Sequence, residues 1–89
     1  MFLARVVGDV VATVKHRALF GRRLVLVQPL GGELEPRGAR VIAIDAAQAG
    51  SGNHVLVLDE GNGAAQVLGR PRGPVRTVVV GIVDEVAGR

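Results

Sequence analysis

Val75-Arg76-Thr77-Val78-Val79-Val80-Gly81-Ile82-Val83-Asp84 is the stretch that decides the fold. Its β-branched residues are stiff at χ1 and suit a pleated strand better than a helix. Successive side chains of a strand point to opposite faces. Val78, Val80 and Ile82 therefore share one face, and Val79, Gly81 and Val83 share the other. A half-solvated antiparallel strand alternates apolar with polar; this one is apolar on both sides. The stretch at 23–30 behaves alike, with Leu24 and Leu26 set against Val25 and Val27. One barrel interior covers one face of such strands. The other face needs a cover too, and with almost no helix in the chain the expected cover is a second subunit. Local loops or a short helical turn are the alternative. The candidate subunit interface is accordingly Leu24, Val25, Leu26, Val27, Val79, Gly81 and Val83.

Working outward, residues 2–14 form a long valine-rich β run punctuated by Gly8, which predicts a bulge or a bend at a barrel corner. Further strands are predicted at 23–30, 40–45, 54–58 and 75–84. Gly31-Gly32 marks a turn, followed by a polar loop through Glu33, Glu35 and Pro36. Residues 59–63 form a turn cluster containing Asn62-Gly63, 64–68 read as a short helical turn, and Arg70-Pro71-Arg72-Gly73-Pro74 is a stiff basic loop. The helical crossovers that parallel strands usually need are missing, so the sheet is expected to be mostly antiparallel. A small sheet of this kind best avoids exposed edges by closing on itself. The expected fold is all-β: a small closed five-stranded antiparallel β-barrel, OB-like, with one short helical turn, forming a single domain over residues 1–89.

The bulk properties agree with a small module that gains from assembly. At 89 residues the chain is one domain, and a domain of this size buries only about 60–65% of its unfolded surface. It has no cysteine, so disulfides and thiolate metal sites are excluded. Two histidines are too few for a metal cluster on their own. The hydrophobic fraction of 48% argues against disorder. The net charge is +3, and all but one of the 11 basic residues are arginine. Arg5 and Asp9 interrupt the first apolar run, so no signal peptide is read there. No stretch approaches the ~18 consecutive apolar residues of a membrane span. A cytoplasmic protein without membrane contact is expected.

Candidate chemistry is thin. Ser51 is the only serine, and Ala49 and Asn53 stand where a nucleophile elbow needs glycine. His54 begins a strand and reads as a structural residue. His16, between Lys15 and Arg17, reads as a solvated loop residue. Asp45 and Asp59-Glu60 sit at strand ends, where carboxylates usually accept turn hydrogen bonds rather than act as an acid/base pair. Gly50-Ser51-Gly52 and Gly61-Asn62-Gly63 lack the third glycine and the following helix of a dinucleotide motif. No cofactor, metal or catalytic residue is expected. The rival reading is a single-stranded nucleic-acid-binding module of OB type, with Arg22, Arg23, Arg70, Arg72 and Arg76 forming a basic groove. The aromatic platform for base stacking is missing, since Phe2 and Phe20 are the only aromatics. Nucleic-acid binding is therefore disfavoured.

An ordered set of short motifs points elsewhere. Leu3-Ala4-Arg5-Val6-Val7-Gly8-Asp9-Val10-Val11-Ala12-Thr13-Val14-Lys15 opens the chain; Leu24-Val25-Leu26-Val27-Gln28 and Ala43-Ile44-Asp45 follow. A glycine loop, Gln48-Ala49-Gly50-Ser51-Gly52-Asn53, then precedes Val55-Leu56-Val57. Gly61-Asn62-Gly63-Ala64-Ala65-Gln66, Pro74-Val75-Arg76-Thr77 and Gly81-Ile82-Val83-Asp84 complete the order. Together these resemble the EutN/CcmL family, the small proteins that close the five-fold vertices of bacterial microcompartment shells. The chain departs from the family pattern in four places. Gln48 stands for a glycine, Asn53 for a glutamate, Asn62 for a serine, and Arg76-Thr77 for an Asp-Ala pair.

The resemblance implies a closed β-barrel that forms a cyclic homopentamer and acts as a structural protein rather than an enzyme. It implies hexameric and trimeric shell proteins as further partners, and the shell of a carboxysome or metabolosome as its location. It also makes the glycine loops candidates for the rim of an opening on the five-fold axis. Gly50, Ser51, Gly52 and Asn53 come first, and Gly61, Asn62 and Gly63 second; the alternative is that they are only turns.

Overall fold

A computed structural model of the chain describes residues 1–11, 21–59 and 76–84. Within these lie five strands: β1 (Phe2–Val10), β2 (Leu24–Pro29), β3 (Val41–Asp45), β4 (His54–Asp59) and β5 (Thr77–Ile82). They close into a barrel in the order β1-β2-β3-β5-β4, with β4 returning to β1. Each strand lies where the β-branched runs predict one, and the ends differ by a few residues. The proposed helical turn at 64–68, the turn cluster from Glu60 to Gly63 and the Arg70–Pro74 loop lie outside the described residues, as do Lys15, His16 and Arg17.

One pairing departs from the antiparallel expectation: β3 and β5 run parallel, with Ile44 beside Val78 and Asp45 beside Val79. The connection that parallel strands require is long, but it need not be helical. Here β4 itself lies on that connection and takes its own place in the barrel wall, antiparallel to both β1 and β5.

The register of β1 shifts between Val6 and Gly8, so Val7 is the extra residue of a bulge where Gly8 predicts one. The bulge lets β1 serve two neighbours. Residues 2–5 pair with β4, and residues 4–10 pair with β2. A second register shift lies between β4 and β5 at Leu56 and Val57. Bulges sharpen local twist and bend, which so small a barrel needs in order to close.

The interior is built from small β-branched and alanine side chains. Ala4, Val6, Val25, Val27, Ala43, Ala49, Val55, Val57 and Val79 form one buried cluster, with Phe2, Val41 and Ala47 packed against it. A separate cluster sits on the outer wall, where Val10, Leu24, Ile44 and Val78 follow one another across β1, β2, β3 and β5. Leu24 keeps 9% of its surface and Ile44 and Val78 at most 1%, so this part of the second apolar face is already buried within one chain.

Because Val57 is fully enclosed, truncating it opens a cavity that the closed wall cannot collapse. Val57→Ala is expected to destabilise the fold by about 2 kcal/mol. The check is the urea midpoint of the two proteins at equal subunit concentration.

Candidate functional site

Among the described residues the candidate functional groups lie at the ends of the barrel and on its outer wall. At one end Arg23, just before β2, points to the side of the inward residues Val25 and Val27. Its Nη1 donates to Asp45 Oδ2 at 2.7 Å and to the Ala49 carbonyl. Its Nε donates to Asp9 Oδ1 at 3.1 Å, and Nη2 also contacts that oxygen. The hydrogen bond to Asp9 raises the guanidinium pKa above its ordinary value; burial opposes the shift, and the charges of Asp9 and Asp45 add to it. Arg23 is thus held charged between two carboxylates.

Asp45 works in the other direction as well. Its side chain is 1% exposed. Oδ1 accepts the Ala47 N–H at 3.0 Å and Oδ2 accepts the Ala49 N–H at 2.9 Å. This is the turn-capping role expected of a strand-end aspartate. The turn it caps carries Gln48 at φ 58°, a left-handed conformation that favours glycine. This is the position where the resembled pattern has glycine and this chain has Gln48.

The glycine loop continues from this turn. Asn53 N–H donates to the Gly50 carbonyl at 3.0 Å, and Gly52 at the third turn position has φ 90°, as a type II turn requires. The Asn53 Oδ1 accepts the Gly50 N–H at 2.6 Å. The loop docks on β1 beyond the last residue that pairs with β4. Gly52 N–H donates to Val6 O at 2.8 Å, Val6 N–H donates to Asn53 O at 2.9 Å, and Ser51 Oγ reaches Val7 O at 3.4 Å. It thereby satisfies backbone groups that β1 would otherwise leave open. Gly50, Ser51 and Gly52 are exposed and Asn53 is half-buried. Gly61, Asn62 and Gly63 lie outside the described residues.

The proposed interface residues separate into two groups. Val25, Val27 and Val79 are inside the barrel with no exposed surface, and Leu24 is buried in the outer cluster. Val25, Val27 and Val79 have no surface to offer a neighbour because they fill the barrel, and Leu24 has little because Ile44 and Val78 pack beside it. Leu26, Gly81 and Val83 are half-buried. Within the strands the larger apolar exposures are Ile42 at 45%, Leu56 at 37% and Ile82 at 42%, while Met1 and Val11, which flank β1, are more exposed still. Ile42 pairs with Leu26, and Leu56 lies between Leu3 and Gly81. These residues escaped the sequence reading. The signal was there in the alternation of larger Leu and Ile with smaller Val and Ala along β2, β3 and β4, since only the smaller set fits inside.

The remaining candidates have structural partners. His54 opens β4 opposite Arg5, and its carbonyl accepts the Val83 N–H at 2.8 Å. Asp59 accepts from Arg76 Nε at 3.1 Å. Of the rival nucleic-acid groove, Arg23 and Arg76 are therefore paired with carboxylates, and Arg70 and Arg72 lie outside the described residues. Among the described residues no group of three metal-ligating side chains comes together.

Fold and site together define a small OB-like barrel whose strand-end polar groups fasten its own loops and whose outer wall keeps exposed aliphatic side chains. Residues 1–84 match the family model described as ethanolamine utilisation protein EutN/carboxysome. The chain belongs to the EutN/CcmL family. It is 36% identical over 86 residues to the bacterial microcompartment shell vertex protein GrpN of Rhodospirillum rubrum, covering 97% of this chain and 96% of that one. It is 41% identical over 91 residues to the shell vertex protein PduN of Salmonella typhimurium, covering 98% and 99%. The fold matches the solved GrpN pentameric microcompartment shell protein with a TM-score of 0.84 at 36% identity, over 100% of both chains.

Two substitutions probe the turn. Asp45→Ala leaves two N–H groups and one side of Arg23 without a partner, and is expected to cost about 2–4 kcal/mol in chemical denaturation. Gln48→Gly removes the left-handed strain and is expected to stabilise by up to about 1 kcal/mol after the added freedom of the unfolded chain; thermal melting reads the sign.

Proposed function

We propose that this chain is a structural shell protein that assembles as a cyclic homopentamer and closes the five-fold vertices of a bacterial microcompartment. The observation that carries the reading is the full-length match to a pentameric shell protein, joined to aliphatic side chains left on the outer wall of the single barrel. The mechanism is geometric. Hexagonal tiles form a flat layer, and closing that layer into a polyhedron needs a five-fold unit at each corner. A ring of five uses heterologous contacts, one patch against a different patch on the next copy. The two outer-wall patches, Leu26 with Ile42 and Leu56 with Gly81, lie on different strand pairs and supply two such surfaces. Hexameric and trimeric shell proteins are the further partners of the ring.

The loop of Gly50, Ser51, Gly52 and Asn53 is the proposed rim of the five-fold opening. It is exposed, nearly free of side chains, and projects from the barrel wall at the β1 bulge. Small residues there let five chains converge. The rim has no carboxylate in this chain, since Asn53 replaces the glutamate of the family pattern.

Native mass spectrometry is expected to find a five-subunit species at micromolar concentration; a monomer there overturns the proposal. In the double variant Ile42→Asp/Leu56→Asp, subunit dissociation is expected to rise about tenfold or more. Its circular dichroism should stay that of a barrel. An undiminished ring would show that these side chains lie outside the contacts.

A further inference from the structure

One outer row of the barrel is cationic instead of apolar. Arg5 on β1 pairs directly with Gln28 on β2. Arg40 immediately precedes Val41, which pairs with Val27. The row Arg5, Gln28, Arg40 therefore crosses three neighbouring strands, which are about 4.8 Å apart. Arg5 and Gln28 alternate with Ala4 and Val27 of the inner cluster and so face outward, and Arg40, one residue before β3, is exposed.

Gln28 is the fixed centre of this row. It is 7% exposed, and its Nε2 donates to the carbonyls of Pro29 at 2.9 Å and Gly38 at 3.1 Å. The bond to Gly38, which has φ 82°, lays the 37–40 loop over the wall. The Arg37 N–H, donating to Pro29 O at 2.9 Å, holds the same loop from its other end. Arg37 thus joins Arg5 and Arg40 around one buried amide.

All three arginines are exposed. Among the described residues the ion pairs are those of Arg23 and Arg76, and none involves Arg5, Arg37 or Arg40. The nearby carboxylate of Glu35 is folded onto Gly31, where a Cβ would meet it, and accepts the Glu33 N–H at 3.0 Å. Arg23 is paired twice, whereas Arg5, Arg37 and Arg40 keep their guanidinium groups free of any carboxylate of the described residues. Arginine forks suit carboxylates in bidentate geometry.

We infer that Arg5, Arg37 and Arg40 form a docking patch for a carboxylate-bearing edge of a neighbouring shell tile. This rests on the vertex reading and deepens it by assigning the outward contact to charge and the ring contacts to the aliphatic wall.

The test uses the full chain co-expressed with a hexameric microcompartment shell protein, comparing wild type with the charge-reversed variant Arg5→Glu/Arg37→Glu/Arg40→Glu and the neutral variant with glutamine at the same positions. Native mass spectrometry reads the ring, and co-purification at rising salt reads the tile contact. The expected result is a five-subunit ring in all three proteins. Tile retention should fall about tenfold or more in the reversed variant and less in the neutral one, and wild-type retention should weaken with salt. Retention equal to wild type in both variants overturns the inference. So does loss of the ring, which would place the patch between copies. A wild-type ring that binds no tile overturns it too while leaving the pentamer standing, and a wild-type monomer removes the vertex reading itself.

Discussion

The inside of a five-stranded barrel is narrow, and filling it with valine and alanine is the constraint on which the rest of this molecule depends. Among the described residues eight strand positions and Ala49 make up that core, and none of them is larger than valine. The larger aliphatic residues of the same strands, Leu24, Leu26, Ile42, Ile44 and Leu56, stand on the other face. This ordering inverts the habit of globular cores, where leucine and isoleucine are the residues most often enclosed. Leu24 and Ile44 are buried in a second cluster on that face, whereas Leu26, Ile42 and Leu56 keep exposed surface. Part of the outer face is buried within the chain, and the rest is available to a neighbour.

Closure by a parallel pair follows from the same constraint. Five strands in simple up-and-down order would leave an odd strand meeting the first in parallel at the seam. In this chain the parallel contact falls between β3 and β5, beside the outer cluster and the Arg23 network. Asp45 stands in that pairing, opposite Val79. One carboxylate thus terminates β3, caps the turn that leaves it, and draws Arg23 across the barrel end toward Asp9. Buried polar groups are tolerated when each finds its partners, and here they fasten three segments that the short strands alone would leave loose.

Much of this was legible in the sequence. Strand identity follows from β-branched runs, the bulge from Gly8, and the capping role of Asp45 from its place at a strand end. The choice of inner face was not read, because both faces of β2 and β5 are apolar and polarity could not separate them; side-chain size could. The parallel pair was hidden because a strand, rather than a helix, occupies its connection. The pairing of Arg23 was hidden because Asp9 and Asp45 are 14 and 22 residues away along the chain. The left-handed Leu34 and Gln48 were equally unreadable, since neither residue type announces positive φ.

The loop departures from the family pattern gain meaning from this anchoring. The segment 46–53 is held at one end by Asp45 and Arg23 and at the other by Val6 and Val7 of β1. Its path is thus set within the single barrel, before any ring forms. A rim made from it takes its electrostatic character from the side chains it presents and not from loop rearrangement on assembly. In the rim proposed above, Asn53 presents a neutral amide where the resembled family pattern has a carboxylate. The amide keeps its oxygen on the Gly50 N–H, so the substitution alters charge while preserving the turn.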